Sequence, residues 1–367
     1  MRVPSQHTTT APARRLAVGT LVLGLAVAAC GSSPTPTSAP SAEVPTATAS
    51  AAPATTPVSA TATPVPATTP SPTASLEAMT LLWQQGGPAT DKTSTVATAI
   101  DPVSGNVWVA VPFENKYWIF SPDGKYLESW GKAGTGNGQF DFSDHAQNPD
   151  GWGAIAFAPD GSFYVGDTGN HRVQAFDAKR RFQRQWGTFG SDDGQFVQID
   201  SLATDGHTVY VGDGERHDVQ AFDGSGTFIR SFGSEGGFDF LALDAMGGIH
   251  ATNPQNTVGA PMAMAIFGPD GALRSTTDLS GTGGMPQGVA VDGAGNSYAS
   301  IEMDHSPWTA LGIVEIDPTG RVVRTLEGGG GDTVTVTSDG DALYATRGIQ
   351  LDPTIWTYVR KYALPKP

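Results

Sequence analysis

From residue 79 onward, short runs of β-branched and aromatic residues alternate with Pro-Asp-Gly, Asp-Gly and Gly-Asn turns, the pattern of strands joined by hairpins. One apolar strand recurs six times, as Val107-Trp108-Val109, Phe163-Tyr164-Val165, Val209-Tyr210-Val211, Ile249-His250-Ala251, Ser297-Tyr298-Ala299 and Leu343-Tyr344-Ala345. Successive central residues stand 56, 46, 40, 48 and 46 positions apart. That period holds four strands, more than one hairpin, and predicts an all-β chain built as a six-bladed β-propeller.

Each repeat continues into a second strand ending on Phe120, Phe176, Phe222, Phe267, Ile316 or Tyr362, and several close with a third ending on Trp130, Trp186, Phe232 or Leu326. The sixth repeat lacks that last strand, because the sequence stops at Pro367 soon after Tyr362. Leu81-Leu82-Trp83 stands 18 residues before Asp101, much as Trp186 stands 19 before Asp205. Residues 79–86 are therefore expected to supply the outermost strand of the last blade, closing the ring and removing a free edge.

Composition agrees with a turn-rich all-β chain, with 46 Gly, 27 Pro, 9% aromatics and a single cysteine, which leaves no disulfide. The formal charge is −15, and Arg2, Arg14 and Arg15 are the only Lys, Arg, Asp or Glu in the first 29 residues. Removing that leader would make the chain more acidic still. Such a chain repels phosphate backbones, so no nucleic-acid partner is expected. The one basic triplet, Lys179-Arg180-Arg181, reads as a solvated turn.

Arg14-Arg15 precede twelve apolar-patterned residues, 16–27. A run that short cannot span about 30 Å of hydrocarbon as a helix, so it reads as the core of a signal peptide. Val27-Ala28-Ala29-Cys30, followed by Gly31-Ser32-Ser33, resembles the bacterial lipobox. That resemblance implies cleavage before Cys30, lipidation of its side chain, and anchorage to the outer side of the cell membrane in a bacterial cell envelope. Residues 31–75 are almost wholly Ser, Thr, Pro, Ala and Val, with Glu43 the only charge. They cannot bury a core and are expected to form a disordered spacer, reaching on the order of 100 Å if fully extended at about 3.1 Å per residue. The expected organisation is a signal peptide at 1–29, lipidated Cys30 and tether at 30–78, and the propeller at 79–367.

The run from Trp152 to Asp177, with Phe163-Tyr-Val-Gly-Asp-Thr-Gly-Asn-His-Arg-Val-Gln-Ala-Phe176 at its centre, resembles the NHL repeat, whose Asn-His-Leu motif is matched by Asn170-His171-Arg172. Val209-Tyr-Val-Gly-Asp213 and Val219-Gln-Ala-Phe-Asp223 keep the pattern, and the other repeats are looser. The resemblance implies the NHL-like propeller fold over about 290 residues; fold alone fixes no function.

In a blade with strands a to d, the b–c loops and the blade-to-blade connections emerge on one face. Most candidate ligand-binding residues fall there: His145 and Trp152 in the first connection, His171 and Arg172 in blade two, Arg216 and His217 in blade three, and Glu302, His305, Trp308, Arg347 and Trp356 in the long loops of blades five and six. Variable loops on a rigid scaffold are where propellers recognise ligands. The bland reading stands beside the functional one: Asp167, Asn170, His171 and Arg172 belong to the repeat, and polar groups in such motifs commonly satisfy turn amides. His250 takes the strand place of a Tyr or Trp and reads as core.

Enzyme readings find little support. Inner strands such as Gly153-Ala154-Ile155, Asp200-Ser201-Leu202 and Gly288-Val289-Ala290 contain no histidine, unlike the metal-binding strands of peptidyl-hydroxyglycine amidating lyases. Streptogramin lyases carry a His-Gly start, for which Gln287-Gly288 is the nearest counterpart, and gluconolactonase-like enzymes place an acidic ligand near the axis with no evident equivalent here. No nucleophile elbow, paired-cysteine motif or cofactor signature is present. The leading expectation is a non-enzymatic recognition module for a peptide, protein, glycan or small ligand. The alternative is a metal-dependent lyase or hydrolase using His145, His217 and His305.

Overall fold

The computed structural model describes residues 75–86, 97–143, 152–234, 236–238, 240–253, 262–302, 310–327, 333–347 and 358–366, all within the unit Ala62–Pro367. Six sheets are present, and each holds four antiparallel strands in sequence order from the axis outward, with the exceptions made by the first two strands of the chain.

Blade one comprises β3 (Thr98–Ile100), β4 (Val107–Val111), β5 (Lys116–Phe120) and β6 (Tyr126–Trp130). Blade two comprises β7 (Ile155–Phe157), β8 (Phe163–Asp167), β9 (Arg172–Phe176) and β10 (Phe182–Trp186), and blade three β11 (Ile199–Thr204), β12 (Thr208–Asp213), β13 (Asp218–Asp223) and β14 (Phe228–Phe232). Blade four comprises β15 (Phe240–Leu243), β16 (Ile249–Thr252), β17 (Ala263–Phe267) and β18 (Leu273–Asp278). Blade five holds β19 (Met285–Val291), β20 (Ser297–Glu302), β21 (Ala310–Ile316) and β22 (Val322–Glu327), and blade six β23 (Thr333–Val336), β24 (Ala342–Arg347) and β25 (Tyr358–Ala363). The fold is the expected six-bladed propeller.

Ring closure follows the sequence expectation. β2 (Thr80–Gln85) pairs antiparallel with β25, placing Leu81 opposite Tyr362 and Gln84 opposite Arg360. One feature differs from the expected boundary. The last four residues assigned to the tether form β1 (Ser75–Ala78), which adds parallel to β22 as a fifth strand of blade five. The open edge of β22 offers hydrogen bonds, and Arg324 fastens the addition. This buried guanidinium donates to Glu77 Oε2 at 2.8 Å, Glu315 Oε2 at 2.6 Å and the Pro365 carbonyl at 2.8 Å, joining both ends of the folded chain. Cys30, the leader and the rest of the tether lie outside the described residues.

The core is not central. It divides into six apolar clusters, each lying where two neighbouring blades face one another. The second or third residue of each b strand, Trp108, Tyr164, Tyr210, His250, Tyr298 or Tyr344, is buried in this layer, where a large side chain contributes about 1.5–3 kcal/mol. His250 is core, as expected: its Nε2 lies 3.2 Å from Asp244 Oδ2 and its Nδ1 2.7 Å from Ser297 Oγ of blade five. Blade five repeats the arrangement with tyrosine, Tyr298 donating to Asp292 Oδ2 at 3.1 Å.

Neighbouring blades are also stapled at their rims. A Cβ built on Gly124, Gly226 or Gly271 in the outer hairpin turn of one blade would lie within 2.9 Å of the ring of Trp83, Trp186 or Phe232 on the outermost strand of the blade before it. Glycine permits the required positive φ, +87° at Gly124, and admits the ring.

Candidate functional site

The b–c turns and the blade connections share one face. In blade two the turn is a single 3-10 turn, Thr168–Asn170, closed by His171, whose amide donates to the Thr168 carbonyl at 2.9 Å. His171 sits in the left-handed region at φ 53°, as do Asn115 in blade one (φ 52°) and His217 in blade three (φ 58°). Asn and His are among the few residues that tolerate this conformation. The two histidines singled out as ligand candidates thus have a backbone role in common with an asparagine.

The polar residues of the repeat clamp the neighbouring connection. Asp167 accepts from the Asp141 amide at 2.7 Å, Asn170 Nδ2 at 2.9 Å, Arg172 Nε at 2.7 Å and Gln174 Nε2 at 2.9 Å. Arg172 also donates to Gln185 Oε1 at 2.8 Å and to the Gly136 and Gln139 carbonyls at 3.1 and 3.2 Å. Its guanidinium is buried and engaged within the fold. Blade three repeats the device: Asp213 accepts from the amides of Val197, Gln198 and Arg216 at 2.8, 3.0 and 3.1 Å, and Gln220 bonds Gln195 and Gly194. Arg216 pairs with Asp218 at 2.8 Å and donates to the Asp192 carbonyl at 3.3 Å. Burial pushes the carboxyls of Asp167 and Asp213 above the usual range, against the lowering by these donors.

The two clamped connections, residues 131–140 and 187–196, are built alike. Each carries one parallel bridge, Ala133 to Phe140 and Phe189 to Phe196. Each opens on a glycine of positive φ, Gly131 or Gly187, where a Cβ would strike the Phe140 or Phe196 ring. They differ at one informative position. Phe189 is 63% exposed where its counterpart is Ala133, and its ring lies 4.9 Å from that of His171. Alanine holds the equivalent place in the first connection, so the turn itself does not require an aromatic ring there. Sequence reading missed it; aligning the two connections residue by residue was the signal available.

Trp152 packs its ring edge-on against Phe240, 4.9 Å between centroids. His217 stands next to Arg216, and its Nδ1 is buried without a hydrogen-bond partner among the described residues. Glu302 and Arg347 end β20 and β24, and only their backbone is described. His145, His305, Trp308 and Trp356 lie outside the described residues, so the proposed meeting of His145, His217 and His305 does too. Among the described residues no group of three His, Cys, Asp or Glu is placed to hold a metal.

The six inner strands surround an axial channel of about 540 Å³, lined among others by Thr98, Ala156, Asp200, Phe240, Val289 and Thr335. Here the structure corrects the sequence reading, which found no acidic residue near the axis. The β11–β12 register shifts between Ile199 and Ser201, and Asp200, at the shift, lines the channel and accepts from Gln198 Nε2 at 2.9 Å.

A family model for the NHL repeat matches residues 153–176, the blade with the complete clamp. No curated protein sequence matches the chain. Among solved structures the fold is similar to virginiamycin B lyase from Staphylococcus aureus (TM-score 0.51, 12% identity, 77% of this chain and 99% of that one). It is also similar to a gluconolactonase from Xanthomonas campestris (TM-score 0.50, 13% identity, 74% and 87%) and to the WD40 repeats of RRP9 (TM-score 0.52, 11% identity, 79% and 99%). Identities this low carry the propeller fold alone.

Proposed function

We propose that this protein is a recognition or scaffold module that binds a peptide, protein or glycan through the loop-rich face of its propeller, held outside the cell membrane by lipid on Cys30. Phe189 carries the reading. An aromatic ring exposed on a connection that Asp213, Gln220 and Gly187 hold rigid is a preorganised anchor, and aromatic side chains on fixed loops dominate binding energy at recognition surfaces. His171 lies beside it, and Asp192 and Asp193 add two acidic residues to the same connection. The repeat's own polar residues serve the clamps, which leaves recognition to residues the repeat does not need.

The test is a peptide and glycan array probed with the wild-type chain and with Phe189→Ala. The variant should lose the retained ligands while its unfolding midpoint stays within about 1–2 °C of wild type, since surface substitutions change stability by roughly 0.5 kcal/mol or less. Retention of every ligand by the variant would refute the reading.

A second reading, a metal-dependent lyase or hydrolase, is favoured by one observation, the axial carboxylate of Asp200. Elemental analysis of purified protein separates the two: stoichiometric metal, lost with a drop in thermal stability on chelation, supports the enzyme.

A further inference from the structure

An asparagine followed by glycine is open to attack by the next backbone nitrogen, because glycine has no Cβ to crowd the approach and its backbone turns freely. The sequence holds eight asparagines, and Asn137 is the one that precedes glycine. It lies exposed on the clamped connection 131–140. Asn170, in the turn of blade two, instead spends its amide on the Gly134 carbonyl and on Asp167.

The reaction open to Asn137 and Gly138 is internal to the chain. The Gly138 nitrogen bonds to Asn137 Cγ, its proton passes to the departing side-chain nitrogen, and ammonia leaves as a five-membered imide closes. Water then opens one of the two imide C–N bonds, giving aspartate, or isoaspartate with one more carbon in the backbone. Water is the co-reactant, ammonia the by-product, and no oxidant or reductant takes part.

The fold controls the nucleophile. The Gly138 amide donates to Gln174 Oε1 at 3.0 Å. Gln174 is fully buried, and its Nε2 donates to the Gln139 carbonyl at 2.8 Å and to Asp167 Oδ2 at 2.9 Å. To attack, the Gly138 nitrogen must give up its proton and turn toward Cγ, and both require leaving Gln174. The second connection shows which product the clamp tolerates. Asp193 stands there in the place of Asn137, and the Gly194 amide still donates to Gln220 Oε1 at 2.8 Å. Aspartate at 137 therefore fits the clamp, while isoaspartate, by lengthening the backbone, carries Gly138 away from Gln174.

The structure assigns Asn137 as a site of spontaneous conversion to aspartate or isoaspartate, kept closed by the Gln174 clamp and opened when that clamp releases Gly138. Conversion turns a connection whose one charged residue is Lys132 into one of no net charge. The site is independent of the Phe189 reading, which concerns the other connection.

The test is peptide mapping by mass spectrometry of the full chain during incubation in mildly alkaline buffer, both folded and in urea, with isoaspartate counted by enzymatic methylation. In urea Asn137 should convert first among the asparagines. In the folded chain it should convert at least about tenfold more slowly, the protection expected of one internal hydrogen bond. Gln174→Ala should raise the folded rate toward the unfolded one, and Asn137→Gln, whose longer side chain closes a six-membered ring poorly, should abolish conversion at this place. If Gln174→Ala does not fold, hydrogen exchange of the wild-type Gly138 amide carries the test, and an unprotected amide refutes the clamp. The inference is also overturned if another asparagine converts first in urea, if the folded chain converts at Asn137 as fast as the unfolded one, or if folded Gln174→Ala is as slow as wild type.

Discussion

Replacing Trp83 with alanine tests how the ring is held shut. Trp83 is partly buried in the cluster between blades six and one, edge-on to Tyr344 at 5.7 Å, with its Nε1 donating to the Pro122 carbonyl at 3.2 Å. Truncating a fully buried tryptophan costs about 3–5 kcal/mol; partial burial brings the expectation to roughly 2–3 kcal/mol, or about 5 °C in unfolding midpoint for a domain of this size. Leu82→Ala on the same strand, at a side chain 51% exposed, should cost about 0.5 kcal/mol or less. The sharper measurement is a double-mutant cycle with Gly124→Ala. In the wild type the new Cβ meets the Trp83 ring at 2.7 Å and also forces a non-glycine residue into φ +87°. With Trp83→Ala present the overlap vanishes and only the backbone term remains, about 1–2 kcal/mol. Chemical denaturation of the four proteins should therefore show coupling of about 1 kcal/mol or more. Additivity within about 0.5 kcal/mol, or a Trp83→Ala effect no larger than that of Leu82→Ala, would refute the staple.

Two further outcomes follow from the clamps and the core. Asp167→Asn should destabilise by about 2–3 kcal/mol, because Arg172 loses its buried partner, and limited proteolysis should then cut residues 131–143 earlier than residues 187–198, whose clamp is intact. Burial lowers the pKa of His250, outweighing the Asp244 carboxylate that raises it. The unfolded chain therefore takes up a proton near pH 6.5 that the folded chain resists, so stability should fall as pH drops below about 6.5. Asp244, whose hydrogen bonds hold its carboxyl below the usual range against burial, contributes stability that is lost only as pH falls through its own lower folded value. His250→Tyr, the residue Tyr298 represents in blade five, should flatten the stability profile between pH 7 and 5; a profile as steep as wild type would exclude His250 as its source.

The propeller, its six repeats and its closure could be read from the sequence because strand spacing and turn residues repeat, and repetition makes long-range pairing inferable from local pattern. β1 could not, since a four-residue parallel strand with no hairpin partner has no periodic trace, and its fastening by Arg324 joins residues 247 apart. The clamps were legible in part: Asp167 and Arg172 were weighed as structural, yet the sequence did not say that their partners were the carbonyls and amides of the preceding connection. Asp200 was visible as a residue but not as an axial group, because the register shift at its place leaves no mark in composition. The meeting of Trp152 with Phe240 depends on how three blades pack, which no local pattern encodes.

The pairing of β2 with β25 also sets the timetable of folding. Residues 80–85 are synthesised before every inner strand of the ring, while their partner at 358–363 follows all the other blades, so β2 and its Trp83 must wait unpaired until the other five blades have been made. Pairing over so long a loop is slow, and an apolar strand waiting for its neighbour invites pairing with other chains. The ring can therefore close only after its last blade has been made.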